Sequence, residues 1–239
     1  MKSMNRVMVL AAGGLLLAAQ ATWAGNLLVG VRVEDLKLLK CRQHGGVKPE
    51  YDEYRLSALR YCLVGEWRRA PFSIGALAGF ADLTTHSSEG ETVEFDPELL
   101  WGFFVSGEWP LGGKGITALR LGAAYAHYEP EQEKVTAAPK HALSTGGDLR
   151  IEWTEMKVWA ELVRRWSAVE LSVGPVWQDV TIDQDRTYPD RTISSSFDPE
   201  DEVGLLSRLR WTPYPQITAD VAVEAVHRSA LSLGITYRF

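Results

Sequence analysis

Two short stretches place a histidine two residues before a serine: "THSSE", with His86 and Ser88, and "VHRSA", with His227 and Ser229. An imidazole so placed could take the hydroxyl proton for nucleophilic attack, provided a third group orients the ring. Carboxylates crowd two other stretches. One holds Asp183, Asp185, Asp190, Asp198, Glu200, Asp201 and Glu202; the other holds Glu89, Glu91, Glu94, Asp96 and Glu98. Oxygen clusters suit Ca²⁺ or Mg²⁺. The spacing matches no twelve-residue calcium loop, however, so solvated, self-repelling segments are the simpler reading. Cys41 and Cys62 lack a histidine pattern that would complete a metal site, and a disulfide between them is the expectation for an exported chain. No metal or cofactor is expected.

These groups need a scaffold, and past residue 25 its dominant period is two rather than 3.6. In "LLVGVRVE", Leu27, Val29, Val31 and Val33 share one face, and Gly30, Arg32 and Glu34 the other. The same alternation runs through "LRYCLVGEW", "FSIGALAGF", "LLWGFFVSGEW", "LRLGAAYAH", "EMKVWAELV", "VELSVGPVW", "VGLLSRLRW", "ITADVAVEA" and the terminal "LSLGITYRF". That makes ten strands and no convincing helix. Upstream of "EMKVWAELV", Ile151 and Trp153 are apolar in the opposite phase, which predicts a bulge near Thr154.

Short and long connections alternate. Tight turns fall at 68–71, 110–115, 164–167 and 212–216, and longer polar segments near 35–53, 84–97, 129–147 and 182–202. Only "HRS" (227–229) is tight at the long-loop end. An up-and-down sheet would gather the short turns and both termini at one end. The short turns carry Arg68, Arg69, Lys114, Arg164 and Arg165, placed to meet headgroups.

The N-terminus has Lys2 and Arg6, then an apolar run from Val7 to Ala19, then small residues at Ala21 and Ala24. This is the pattern of a cleaved secretory signal peptide covering 1–24, and the run is too short to span a membrane as a helix. Residues 25–239 then form one domain. Without Lys2 and Arg6, the formal charge of −6 becomes −8, with 23 basic and 31 acidic residues. Nucleic acid, which demands a basic patch, is excluded as a partner.

Soluble sandwiches also alternate. Here the polar face is unusually charged: Arg32, Glu34, Arg60, Glu66, Glu108, Arg120, Glu155, Lys157, Glu161, Glu170, Arg208, Arg210, Asp220 and Glu224 all fall on it. In a dry core each unpaired charge would cost several kcal/mol, whereas a membrane barrel turns this face inward, where opposite charges can pair. Trp67, Phe72, Trp101, Trp109, Trp166, Trp177, Trp211, Tyr237 and Phe239 lie toward strand ends, as interfacial girdles do. Lipid tolerates no open sheet edge, so strands of about 9–11 residues must close on themselves. The expectation is an all-β, closed, antiparallel, up-and-down transmembrane barrel of ten strands. An eight-stranded alternative would demote residues 26–36.

The terminal strand resembles the carboxy-terminal signature of bacterial outer-membrane β-barrel proteins, and "GITYRF" is similar to the ends of the small OmpA-like and Ail-type barrels. The resemblance implies insertion by the barrel-assembly machinery, recognition through Leu231, Leu233, Ile235, Tyr237 and Phe239, pairing of the last strand with the first, and residence in the outer membrane among lipid and lipopolysaccharide.

Measured against enzymes of that membrane, the candidates fall short. Lipid A deacylases follow their His-x-Ser pair with an orienting Glu about a dozen residues on. Here that position is Leu100, with Glu98 the nearest substitute, or lies beyond Phe239. Omptin-type proteases need an Asp–His pair that Asp183 and Asp185 lack. The expectation is therefore no catalytic residue and no enzyme. Phe104 and Trp159 point inward among the charges, so the lumen should be narrow and filled by ion pairs. The expected role is structural or surface-interacting, through acidic loops that meet lipopolysaccharide, surfaces or partners. A small cation-preferring channel or uptake porin is the alternative.

Overall fold

The computed structural model describes residues 27–45, 54–86, 92–112, 117–130, 132–136, 148–187, 192–199, 202–225 and 229–239. The expected signal segment lies outside them. Thirteen strands and no helix occur among the described residues: β1 (Leu27–Gly45), β2 (Tyr54–Arg69), β3 (Phe72–His86), β4 (Thr92–Phe95), β5 (Glu98–Pro110), β6 (Ala118–Tyr128), β7 (Gln132–Thr136), β8 (Asp148–Trp166), β9 (Val169–Thr187), β10 (Thr192–Pro199), β11 (Val203–Tyr214), β12 (Ile217–Ala225) and β13 (Ser229–Arg238).

Ten of them close a barrel. Antiparallel ladders run β1-β2-β3-β5-β6-β8-β9-β11-β12-β13. The ring shuts where β13 pairs with β1, from Leu28 opposite Arg238 to Lys37 opposite Ser229. The Phe239 amide extends this seam, donating to the Leu27 carbonyl at 3.1 Å. Residues 27–36 are thus part of a full wall strand, which removes the eight-stranded alternative. Two-residue connections at 70–71, 167–168 and 215–216 gather at the end that holds Leu27 and Phe239, as two-residue hairpins allow.

The outer face is the one the alternation forecast. Val31, Ile74, Phe103, Leu121, Val158, Val173, Leu209, Val221, Leu233 and Ile235 are exposed around the ring. So large an apolar surface is stable against lipid, not water. Trp67, Phe72, Trp109, Trp166 and Trp211 ring it at the short-turn end, and Trp101 and Trp177 mark the other margin. On β5, Trp101 and Trp109 are eight residues apart, about 27 Å of tilted strand and comparable with an apolar band about 25 Å tall.

Several strands outrun that band. β1, β8 and β9 each have 19 residues, so segments expected to be loops near 35–53, 129–147 and 182–202 are partly strand. Above the band, β10 bridges β9 and β1 over the ends of β11, β12 and β13. β4 and β7 continue the β5–β6 hairpin, with β4 laddered on β3 and on β7. The ten-strand ring therefore narrows to an eight-strand collar of β1, β2, β3, β4, β7, β8, β9 and β10, in which β7 runs beside β8 without a ladder.

The bulge expected near Thr154 is absent. β8 keeps one register against β6 from Ala118↔Val163 to Tyr128↔Trp153, and one against β9 along its length. Ile151 and Trp153 point inward on the same parity as Glu155, Lys157 and Glu161. What changes is the surroundings. Within the band apolar side chains face out; within the collar Ile151, Trp153, Val180 and Ile182 are buried while Arg150, Glu152, Thr181 and Asp183 are exposed. The polarity inverts because lipid gives way to water outside the wall. An eight-strand ring is also about the size that side chains can fill.

Candidate functional site

The strands carry two storeys of side chains into the lumen. At the collar, fifteen buried residues form an apolar plug, with side chains from eight of the ten wall strands and Phe95 of β4. Leu83, Leu100, Phe95, Tyr128, Ile151, Trp153 and Ile182 are each at most 1 % exposed. Tyr128 and Trp153 stack with ring centroids 5.4 Å apart. Alternation alone did not reveal this plug. The detectable signal was the apolar pair Ile151 and Trp153 on charge-bearing parity.

Below the plug lies the ionic storey, which begins at Arg60. Its guanidinium donates to Glu155 at 2.8 Å and Glu34 at 3.2 Å, and lies 5.4 and 5.5 Å from the Tyr128 and Trp153 ring centroids. Lys157 continues the chain, 2.6 Å from Glu224 and 3.5 Å from Glu155. Nearer the short turns, Glu170 accepts from Arg120 at 2.6 Å, Arg165 at 2.8 Å and Arg210 at 3.2 Å. Glu108 accepts from Arg120 at 2.7 Å and Arg165 at 2.5 Å. Glu161, fully buried, takes the Ser172 hydroxyl at 2.6 Å and lies 3.4 Å from Arg208 and 3.7 Å from Arg120. Glu66 pairs with Arg68 at the mouth.

Ion pairs link many of the charges named on the polar face, with three departures from the expectation. Arg68 and Arg165, expected in turns, stand on β2 and β8 and reach into the network. Arg32 and Asp220 face the lumen but make no ion pair among the described residues: Asp220 lies over Gly234, and Gly234 stands between them, opposite Arg32 on one side and Asp220 on the other. The balance of charge also differs. A cavity of about 510 Å³ runs from beneath the plug to the short-turn mouth, where Pro71, Arg165 and Arg238 line it, and its wall holds nine cationic and seven anionic side chains. The lining is therefore not the acidic one that would favour cations.

The Cys41–Cys62 bridge does not form. Cys62 is a buried free thiol. The ladder sets it opposite Arg32, while Cys41 stands opposite Tyr54. Nine residues of β1 separate Arg32 from Cys41, about 30 Å of strand, and a disulfide tolerates about 7 Å between Cα atoms. The β1–β2 hairpin is simply longer than its sequence suggested.

The enzyme candidates are not brought together. Ser88, His227 and the His86 side chain lie outside the described residues. Ser229 is exposed on β13, and Asp183 and Asp185 are exposed on the collar. No group of three His, Cys, Asp or Glu able to hold a metal occurs among the described residues. Outside the membrane band, hydrogen bonds from Arg150 and then His127 hold the Glu129 carboxyl below the usual carboxylate range. On the terminal strand Leu231, Leu233, Ile235 and Tyr237 face outward, and Tyr237 meets Phe239 edge-on at 5.0 Å.

No family model matches this sequence, and a search of curated proteins finds no relative. Solved structures do resemble it. The translocator domain of the autotransporter NalP from Neisseria meningitidis aligns over 99 % of this chain and 98 % of its own, with a TM-score of 0.52 at 12 % identity. Ail, the attachment invasion locus protein of Yersinia pestis, aligns over 90 % of this chain and 99 % of its own, with a TM-score of 0.34 at 10 % identity. The fold is that of the bacterial outer-membrane β-barrels.

Proposed function

We propose that this chain is an integral barrel of the bacterial outer membrane, closed to diffusion, acting as a structural or surface-interaction protein. Its lipid-facing belt meets outer-membrane lipid and lipopolysaccharide, and its collar meets lipopolysaccharide, other surfaces or a partner. The terminal strand, ending in Phe239, serves the barrel-assembly machinery during insertion. The apolar plug carries the reading. A dry layer contributed by eight wall strands leaves ions no hydrated route, and burying an unpaired charge there costs several kcal/mol. The same layer braces the collar that stands outside the membrane.

The small channel is the second reading. It is disfavoured by the plug and, for cations, by the basic surplus of the lining. A catalytic role is disfavoured because neither His-x-Ser pair has an orienting carboxylate at the required spacing.

Planar-bilayer recording of the refolded, processed protein tests the proposal. Silence is expected; discrete conductance steps would sink it. Lipid A of unchanged composition on overexpression is the matching expectation for a non-enzyme.

A further inference from the structure

We infer that the lumen below the plug is a binding site for a small phosphate-class oxyanion that enters from the short-turn end. The first observation is a surplus of donors. Arg32 Nε and Trp159 Nε1 are buried nitrogens with no acceptor among the described residues, and Arg120 Nη1 has only the Glu161 carboxylate at 3.7 Å, beyond hydrogen-bond range; all three residues line the cavity. Guanidinium and indole nitrogens can only donate, and a buried donor left without an acceptor costs about 1–3 kcal/mol.

The glutamates that pair with these arginines are shared among several of them. Glu170 serves three arginines, Glu108 two, and Glu161 two plus a serine. Among the described residues Arg32 has no carboxylate within ion-pair range, and Arg208 has Glu161 alone, at 3.4 Å. Arg208 lies within electrostatic reach of the opposite charges on Glu161 and Asp220 and of the like charges on Arg32 and Arg120. A set of arginines converging from β1, β6 and β11 suits a tetrahedral anion, whose several oxygens accept from different directions, better than a planar carboxylate.

The shape agrees with the charge. The cavity of about 510 Å³ is shut above by the apolar plug and reaches the short-turn mouth between Pro71 and Arg238. The space over Gly234, which stands between Arg32 and Asp220 in the ladders, is taken by the Asp220 carboxylate, which a side chain there would meet at 2.6 Å. Asp220 makes no ion pair among the described residues, lines the cavity, and opposes the anion. Its removal therefore has the opposite effect to removal of Arg32.

The test is calorimetric titration of inorganic phosphate into the refolded, processed protein in zwitterionic detergent at low salt, with acetate as comparator. Saturable one-to-one binding of phosphate, at least tenfold tighter than acetate, is expected. Arg32→Gln should weaken it tenfold or more, and Asp220→Asn should strengthen it several-fold. Heat-modifiable gel migration checks that each variant is folded. Absence of saturable binding in the unsubstituted protein, equal affinity for acetate, or an Asp220→Asn variant that binds no more tightly would each overturn the proposal. Should Arg32→Gln not fold, the Asp220→Asn comparison decides alone.

Discussion

Trp153 lies stacked on Tyr128, with ring centroids 5.4 Å apart and planes 22° from parallel, and the pair forms the boundary between a dry plug and an ionic lumen. Arg60 holds the underside of both rings and passes their position to Glu155. The seal and the charge network are therefore one mechanical unit.

Emptying that boundary should open the barrel. Trp153→Ala with Tyr128→Ala removes two fully buried rings, each worth about 3–5 kcal/mol in a core, and leaves Arg60 facing a void that water can fill. Small conductance steps are expected in planar bilayers where the unsubstituted protein is silent. A folded double variant that stays silent would show that the plug is not the seal.

The ionic storey predicts a wide spread of mutational cost. Glu161→Gln leaves Arg208 without its carboxylate in a buried place, and loss of one buried partner costs about 3–5 kcal/mol. By contrast Asp35→Asn breaks the Lys37 pair, whose side chains are 42 % and 64 % exposed, and such pairs contribute about 0–1 kcal/mol. Urea unfolding from lipid vesicles should lower the midpoint markedly for the first and hardly at all for the second.

Glycines should divide the same way. A Cβ at Gly174 would sit 1.7 Å from the Ala160 carbonyl oxygen, whereas one at Gly65 meets nothing within 4 Å. Gly174→Ala should refold poorly and Gly65→Ala normally, judged by the folded fraction on unboiled gels. Equal yields would mean that the β8–β9 ladder is looser than described.

The lipid face can be tested at Leu233, which is 49 % exposed and lies between Val33 and Val221 in the ladders. Arginine at the middle of a lipid-facing strand costs about 2–4 kcal/mol. Leu233→Arg should lose that much folding stability in vesicles, and Ser229→Arg, exposed at the collar end, should lose little. Similar stabilities for the two would contradict a membrane environment.

Cys62 should behave as a lone interior thiol. In a Cys41→Ser background, a maleimide should label it slowly in the folded barrel and fully after denaturation, because it is buried in the plug cluster. Rapid labelling would place it outside. Reductant should leave the gel mobility of the unsubstituted protein unchanged.

Strand parity was legible throughout, because successive side chains alternate sides whatever surrounds them. Val31, Phe103, Val158 and Leu233 on one side, with Arg60, Arg120 and Glu161 on the other, followed from that geometry alone. Ile151 and Trp153 were misread because their apolar character was taken to imply lipid contact, which on their parity required a bulge. The lengths of β1, β8 and β9 were underestimated for a related reason: above the membrane band a polar side chain can face out from a strand, so polarity no longer marks a loop.

Closure of the sheet was also implied locally, since apolar faces without a helix to cover them require lipid, and lipid requires a ring. Which charges meet inside that ring was not. Arg60 and Glu155 are 95 residues apart, and only the stagger of the closed ladders brings them to the same height. The collar, the plug and the basic surplus of the cavity have that same origin, whereas the missing disulfide follows from the length of the β1–β2 hairpin alone. Covalent geometry sets the side of the wall on which each side chain lies, but its height, and so whether it meets lipid, water or another charge, is set only when the first and last strands join.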